Sequence, residues 1–193
     1  MTYSDFSPII ELHQIRNWSR IILSKHSDGL GTGLGLSRFC NTGCGFEVLY
    51  LARDYETAFA EAVLRDKLNR RAKRFLTDAD LANKSSVTIS SVRQLKLLNL
   101  RGNGALKTGI PSAAIKHTNH KSGRSLSRYL HKHYDVDGIL FDSRLTGAPC
   151  IAIYSDSKSA MVEINRDDNL LKLTGTSEFL REYNIKLLKT LKP

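Results

Sequence analysis

The 193-residue sequence has no run of eighteen apolar residues, so it carries no membrane-spanning helix of ordinary length. Its first ten residues contain Asp5 and show neither the basic nor the apolar region of a signal peptide, so a cytoplasmic protein with no membrane association is expected. Cysteine is scarce: Cys40, Cys44 and Cys150 form an odd set. No second Cys or His pair stands at ligand spacing from Cys40 and Cys44, which argues against a zinc site. Internal repeats and low-complexity tracts are missing too. Aromatic residues make up only 8% and no DNA- or RNA-binding motif occurs, so direct nucleic-acid binding is disfavoured despite the charge.

That charge is the strongest bulk property present, a net +10 at pH 7. A basic surface attracts nucleic acid, anionic membrane or an acidic partner protein without choosing among them. One cluster holds Lys67, Arg70, Arg71, Lys73 and Arg74, and a second tract runs over 116–128; each is equally readable as a solvated face. The length and the 41% hydrophobic content suit one core of ordinary size, and a single domain over 1–193 is expected.

Residues 11–24 have mixed character, strand or helix, and lead into Gly29-Leu30-Gly31-Thr32-Gly33-Leu34-Gly35, a loop by composition. Without Cβ atoms that loop can approach a ligand closely, although neither a good strand before it nor a helix after it supports a dinucleotide fingerprint. Residues 46–52 read as a buried strand, and Asp54 as the N-cap of a helix whose apolar face is Ala58, Phe59, Ala62 and Val63. Glu61 lies at the border of that face, either paired with Arg65 one turn on or at the rim of a site. Strands are expected at 87–92, 95–100, 137–141 and 150–154, and a helix at 125–133. The pattern ends in a hairpin, 161–165 with 170–174 closed by 166–169, and a helix from about Ser177 that uses Phe179, Leu180, Tyr183, Leu187, Leu188 and Leu191. Many short strands with few helices make an α+β protein, its helices packed on a mostly antiparallel or split sheet.

Arg38, Tyr50, Glu61 and Ser143 all stand where a strand ends, a helix rim begins or a loop leaves a strand. The motifs around them are Gly33-Leu34-Gly35-Leu36-Ser37-Arg38-Phe39, Val48-Leu49-Tyr50-Leu51-Ala52, 57–66 and Asp137-Gly138-Ile139-Leu140-Phe141-Asp142-Ser143-Arg144. In order and spacing, over roughly 12–156, they resemble the RES domain family, with the segment 160–191 packed behind. The resemblance implies an ADP-ribosyltransferase-like split β-sheet with flanking helices. It also implies an NAD-degrading toxin, acting by phosphorolysis or hydrolysis and held in check by a cognate antitoxin or immunity protein. NAD is then substrate, inorganic phosphate a possible co-substrate, and no resident cofactor is implied. Arg38, Glu61 and Ser143 take the positions of the family's named Arg, Glu and Ser, and Tyr50 a further active-site position. Where the family often opens with Leu-His-Arg, this chain has Leu12-His13-Gln14-Ile15-Arg16, so either Arg16 replaces that arginine or Gln14 has lost it.

The chemistry asks for such groups. Breaking the nicotinamide–ribose bond develops oxocarbenium character, which a carboxylate stabilises, and Glu61 suits that role. Pyrophosphate and phosphate call for a planar multi-donor cation, which suits Arg38 and, if it reaches, Arg16. Tyr50 suits stacking on nicotinamide or bonding a ribose hydroxyl, or else is a packed strand residue. Ser143 suits holding ribose or phosphate; no neighbouring base marks it as a nucleophile. ADP-ribosyl transfer to a macromolecule and non-catalytic nucleic-acid binding are the alternatives.

Overall fold

A computed structural model describes residues 5–32, 37–40, 43–65, 75–110 and 120–190. The basic cluster 67–74, part of the glycine stretch, residues 116–119 and Leu191 lie outside them. An eight-stranded sheet runs in the order β1 (Ile10–His13), β6 (Leu95–Asn99), β7 (Gly138–Asp142), β8 (Pro149–Tyr154), β3 (Val48–Ala52), β2 (Trp18–Leu23), β5 (Lys84–Ser91), β9 (Met161–Asp168). All neighbours are antiparallel except β6 and β7. The expected α+β class holds.

The central strands are apolar runs because both faces of the sheet are covered. Along β3, Val48 and Ala52 enter one core with Tyr50 at its edge, while Leu49 and Leu51 enter the opposite one. In β8 the same alternation sends Cys150, Ala152 and Tyr154 to the first face and Ile151 and Ile153 to the second. Period-two side-chain alternation thus feeds two cores from one strand. Gly138 is required where β7 meets β8, since a Cβ there would sit 2.2 Å from the Ala152 carbonyl oxygen.

Pairing between β2 and β3 is confined to Ser19↔Ala52, whereas β2 pairs with β5 over six residues and β3 with β8 over five. The sheet therefore divides into β1-β6-β7-β8-β3 and β2-β5-β9, with a seam between them.

Asp54 caps α1 (Tyr55–Phe59), accepting from the Thr57 amide at 2.7 Å, a bond worth about 1 kcal/mol. The helix continues as a π-helical turn, Ala60–Leu64. A short α2 (Asp78–Ala82) starts with a capping box between Thr77 and Asp80, and α3 is a single turn, Gly104–Lys107. The longest helix, α4 (Lys121–His133), buries Leu126 and Leu130 completely on the first face. A third cluster gathers Phe59, Val63, Leu64, Leu76, Leu81, Leu170, Phe179 and Leu180 under α5 (Thr174–Glu182).

Two expectations for the end of the chain fail. The hairpin is absent: β9 runs unbroken through 166–168 as an edge strand, since polar side chains are tolerated there and Ser85 bonds Asp168 at 2.6 Å. Leu170 then turns into the third core on a 3-10 turn, Leu170–Lys172. The last helix stops at Glu182, Asn184 adopts a left-handed φ of 49°, and Lys186–Leu188 becomes β10, parallel to β4 (Phe75–Thr77). Leu187 and Leu188 are exposed rather than core. The ambiguous stretch 11–24 resolves into two strands at distant places in the sheet, joined through Asn17 at φ 53°.

Candidate active site

A cavity of about 330 Å3 opens along the seam, within the range of small-ligand sites. Ser19, Arg20 and Ile21 of β2 form one wall and Tyr50, Leu51 and Ala52 of β3 the other. Ala58, Glu61, Ala62 and Arg65 come from α1 and its π turn, Ser37 and Arg38 from the loop before β3, His120 from the start of α4, Asp142 from the end of β7 and Arg144 from the β7–β8 loop. Four guanidinium groups face two carboxylates, and Asp142 is already engaged by Arg101 at 2.7 Å.

Glu61 is the other carboxylate. Its Oε1 accepts from the Ser143 hydroxyl at 2.7 Å, and its Oε2 lies 3.8 Å from Arg65 Nη1. The Ser143 Oγ in turn accepts from the Leu145 amide at 3.1 Å and the Thr146 amide at 3.3 Å. Those two donors leave the hydroxyl proton directed at Glu61. Ser143 is thus a buried partner of Glu61, 4% exposed, and not itself part of the lining. Glu61 pairs with Arg65 and also lines the cavity. Glu61 lies on the π-helical turn that follows Phe59.

Arg38 rides on a loop held from two sides. Tyr50 Oη accepts from the Phe39 amide and donates to Ser37 Oγ, both at 3.0 Å. From α4, Arg124 Nε donates to the Ser37 carbonyl at 2.8 Å. Burial lowers the Arg38 pKa and neighbouring Arg144 adds to that, while Tyr50 and Glu61 work in the opposite direction. Burial pushes the Tyr50 hydroxyl up to about 12, so it stays protonated and able to donate. Burial, then Arg38, Arg124, Arg144 and Arg65, hold His120 below the usual imidazole value. At neutral pH it is an uncharged donor or acceptor in a cationic setting.

Arg38, Tyr50 and Glu61 therefore meet at one cavity, and Ser143 stands directly behind Glu61. Arg16 does not join them: it is exposed on the β1–β2 connection, and its carbonyl accepts from Arg53 at 3.3 Å. Arg20 lines the cavity instead; its Nη1 donates to the Gly29 carbonyl at 2.8 Å, and burial lowers its pKa to about 10. Sequence reasoning missed Arg20, Arg65, His120 and Arg144 as lining residues. A clue for Arg144 lay in its place directly after Ser143.

Chemically, the arrangement offers one fixed carboxylate to a developing cation and several planar donors to anionic oxygens. The RES domain family matches residues 12–174. A curated protein, "Probable toxin y4kH" of Sinorhizobium fredii, is 35% identical over 77 residues, which are 39% of this chain and 61% of that protein. Among solved structures, a chain of the M. tuberculosis MbcT-MbcA toxin-antitoxin complex superposes with a TM-score of 0.67 at 16% identity, covering 91% of this chain and 93% of that one.

Proposed function

This chain belongs to the RES domain family, and on that premise we propose that it is a toxin enzyme that degrades NAD by cleaving the nicotinamide–ribose bond, with phosphate or water as acceptor. The observation that carries the reading is Glu61, fixed between Ser143 and Arg65 on the wall of a cavity rich in guanidinium groups. On this reading NAD is substrate and no resident cofactor is needed. Arg38 and Arg20 bind pyrophosphate or phosphate oxygens, and Glu61 faces the anomeric carbon as positive charge develops there.

A cognate antitoxin follows from the same reading, supported by the toxin-antitoxin complex to which the superposed chain belongs. A cationic cleft suits an acidic segment of such a partner. Action in the cytoplasm belongs to the same reading; among the described residues no helix is long and apolar enough to cross a membrane.

The test is nicotinamide release from NAD by purified protein, with and without inorganic phosphate, beside Glu61→Gln. Release that Glu61→Gln abolishes is the expected result, and a phosphate requirement with an ADP-ribose phosphate product identifies a phosphorylase. ADP-ribose left on a macromolecule would instead make it a transferase, and no release at all would overturn the assignment.

A further inference from the structure

Arg20 reaches the cavity from β2, and its guanidinium is held by the Gly29 carbonyl. The other side of that glycine is held as well, since the Gly29 amide donates to Glu163 Oε2 at 3.1 Å. A Cβ at position 29 would lie 2.1 Å from that same oxygen, so any larger residue would have to push the Glu163 carboxylate off the Gly29 amide. Glu163 is in turn gripped by a two-point fork, Arg166 Nε to Oε1 at 2.8 Å and Nη2 to Oε2 at 3.1 Å. The same guanidinium donates to the His26 and Ser27 carbonyls at 2.9 and 3.0 Å.

This fork should not exist on a regular strand, where residues three apart point to opposite faces. It exists because β9 is bulged. Thr88 pairs with Asn165 and Ile89 with Glu163, which leaves Ile164 as the extra residue and turns Glu163 and Arg166 to one side.

We propose that Glu163 and Arg166 are positioning residues for Arg20: the bulged edge strand fixes the loop through Gly29 and so sets where Arg20 presents its charge in the cavity. They touch no substrate. Their effect is on the binding of the anionic part of the ligand and not on bond cleavage, so this proposal rests on the reading of the cavity as the NAD site.

The experiment compares wild type with Glu163→Gln, which keeps an acceptor for Gly29 but sets an amide against Arg166, and with Arg166→Met as a second route to the same break. Two readouts are taken: the rate at which phenylglyoxal modifies Arg20, followed by peptide mass spectrometry, and the steady-state kinetics of NAD cleavage. Arg20 should react several-fold faster in both variants, and KM for NAD should rise about three- to tenfold, the worth of one ordinary hydrogen bond, with kcat within about twofold. An unchanged Arg20 reactivity would overturn the proposal. So would faster modification with an unchanged KM, or a loss of thermal stability with neither readout moved. Should wild type fail to cleave NAD, the functional reading falls, and the Arg20 modification rates still decide whether the fork controls that side chain.

Discussion

Ser143 donates its only hydroxyl proton to Glu61, because two backbone amides occupy the acceptor side of the same oxygen. On the proposed reading the serine acts on the ligand through the carboxylate. Ser143→Ala should therefore lower kcat for NAD cleavage by roughly tenfold to a hundredfold, the worth of a hydrogen bond to a charged group, with little change in KM. Steady-state kinetics check this, and a pure KM effect would assign Ser143 to substrate binding.

Tyr50 and Arg124 act on one loop from opposite sides, meeting at Ser37. Tyr50→Phe and Arg124→Gln should each raise KM by about three- to tenfold. Together they should raise it by less than the product of the single effects, since the loop is released once. A double-mutant cycle on KM measures the coupling, and strict multiplicativity would show that Arg38 is not held in this way.

His120 is depressed below its ordinary 6.5 by burial and by the arginines around it. The unfolded chain takes up a proton near 6.5, while the folded protein takes it up only at lower pH. The stability this group confers is thus present above about 6.5 and lost as pH falls below it. His120→Gln should flatten the Tm–pH curve between about pH 7 and 5, and an unchanged slope would show that His120 meets no cationic field.

Asp137 lies at the start of β7, 6% exposed, and accepts from Arg93 at 2.6 and 2.9 Å, from Ser157 at 2.6 Å and from the Lys96 amide at 2.8 Å. Burial works to raise its pKa, but Arg93, Ser157 and the amide outweigh it and hold the carboxyl below the usual 3.8. Its stabilisation is accordingly complete above that value and lost as pH falls through the depressed one. Asp137→Ala should cost about 2–4 kcal/mol, a drop of roughly 5–15 °C in Tm by calorimetry, while KM of the folded fraction stays unchanged.

The parts of the fold legible from sequence are those where burial leaves a pattern. Strands β3, β7 and β8 are covered on both faces and so appear as short apolar runs, and Asp54 marks the start of α1 by its capping chemistry. What escaped depends on backbone irregularity. Arg16 stays out of the cavity because the chain between His13 and Trp18 leaves the strand and turns at the left-handed Asn17, which two-residue strand spacing does not foretell. The π turn after Phe59 has no composition of its own, so helical periodicity put Glu61 at a border without showing where it aims. The polar run at 166–168 imitates a turn but continues β9, because whether a strand's polar residues face water is settled by its place in the sheet.

The single rung between Ser19 and Ala52 makes occupancy of the cleft and survival of the fold one measurement. A molecule lodged in the seam, held by Arg20 on one wall and by groups of the β3 side on the other, adds cross-links that only the folded chain offers. By mass action such a molecule stabilises the protein by about 2.7 kcal/mol at a hundred times its Kd. Heat thus becomes an assay, and ligands of this cleft can be ranked by the melting temperature they confer before any of their chemistry is followed.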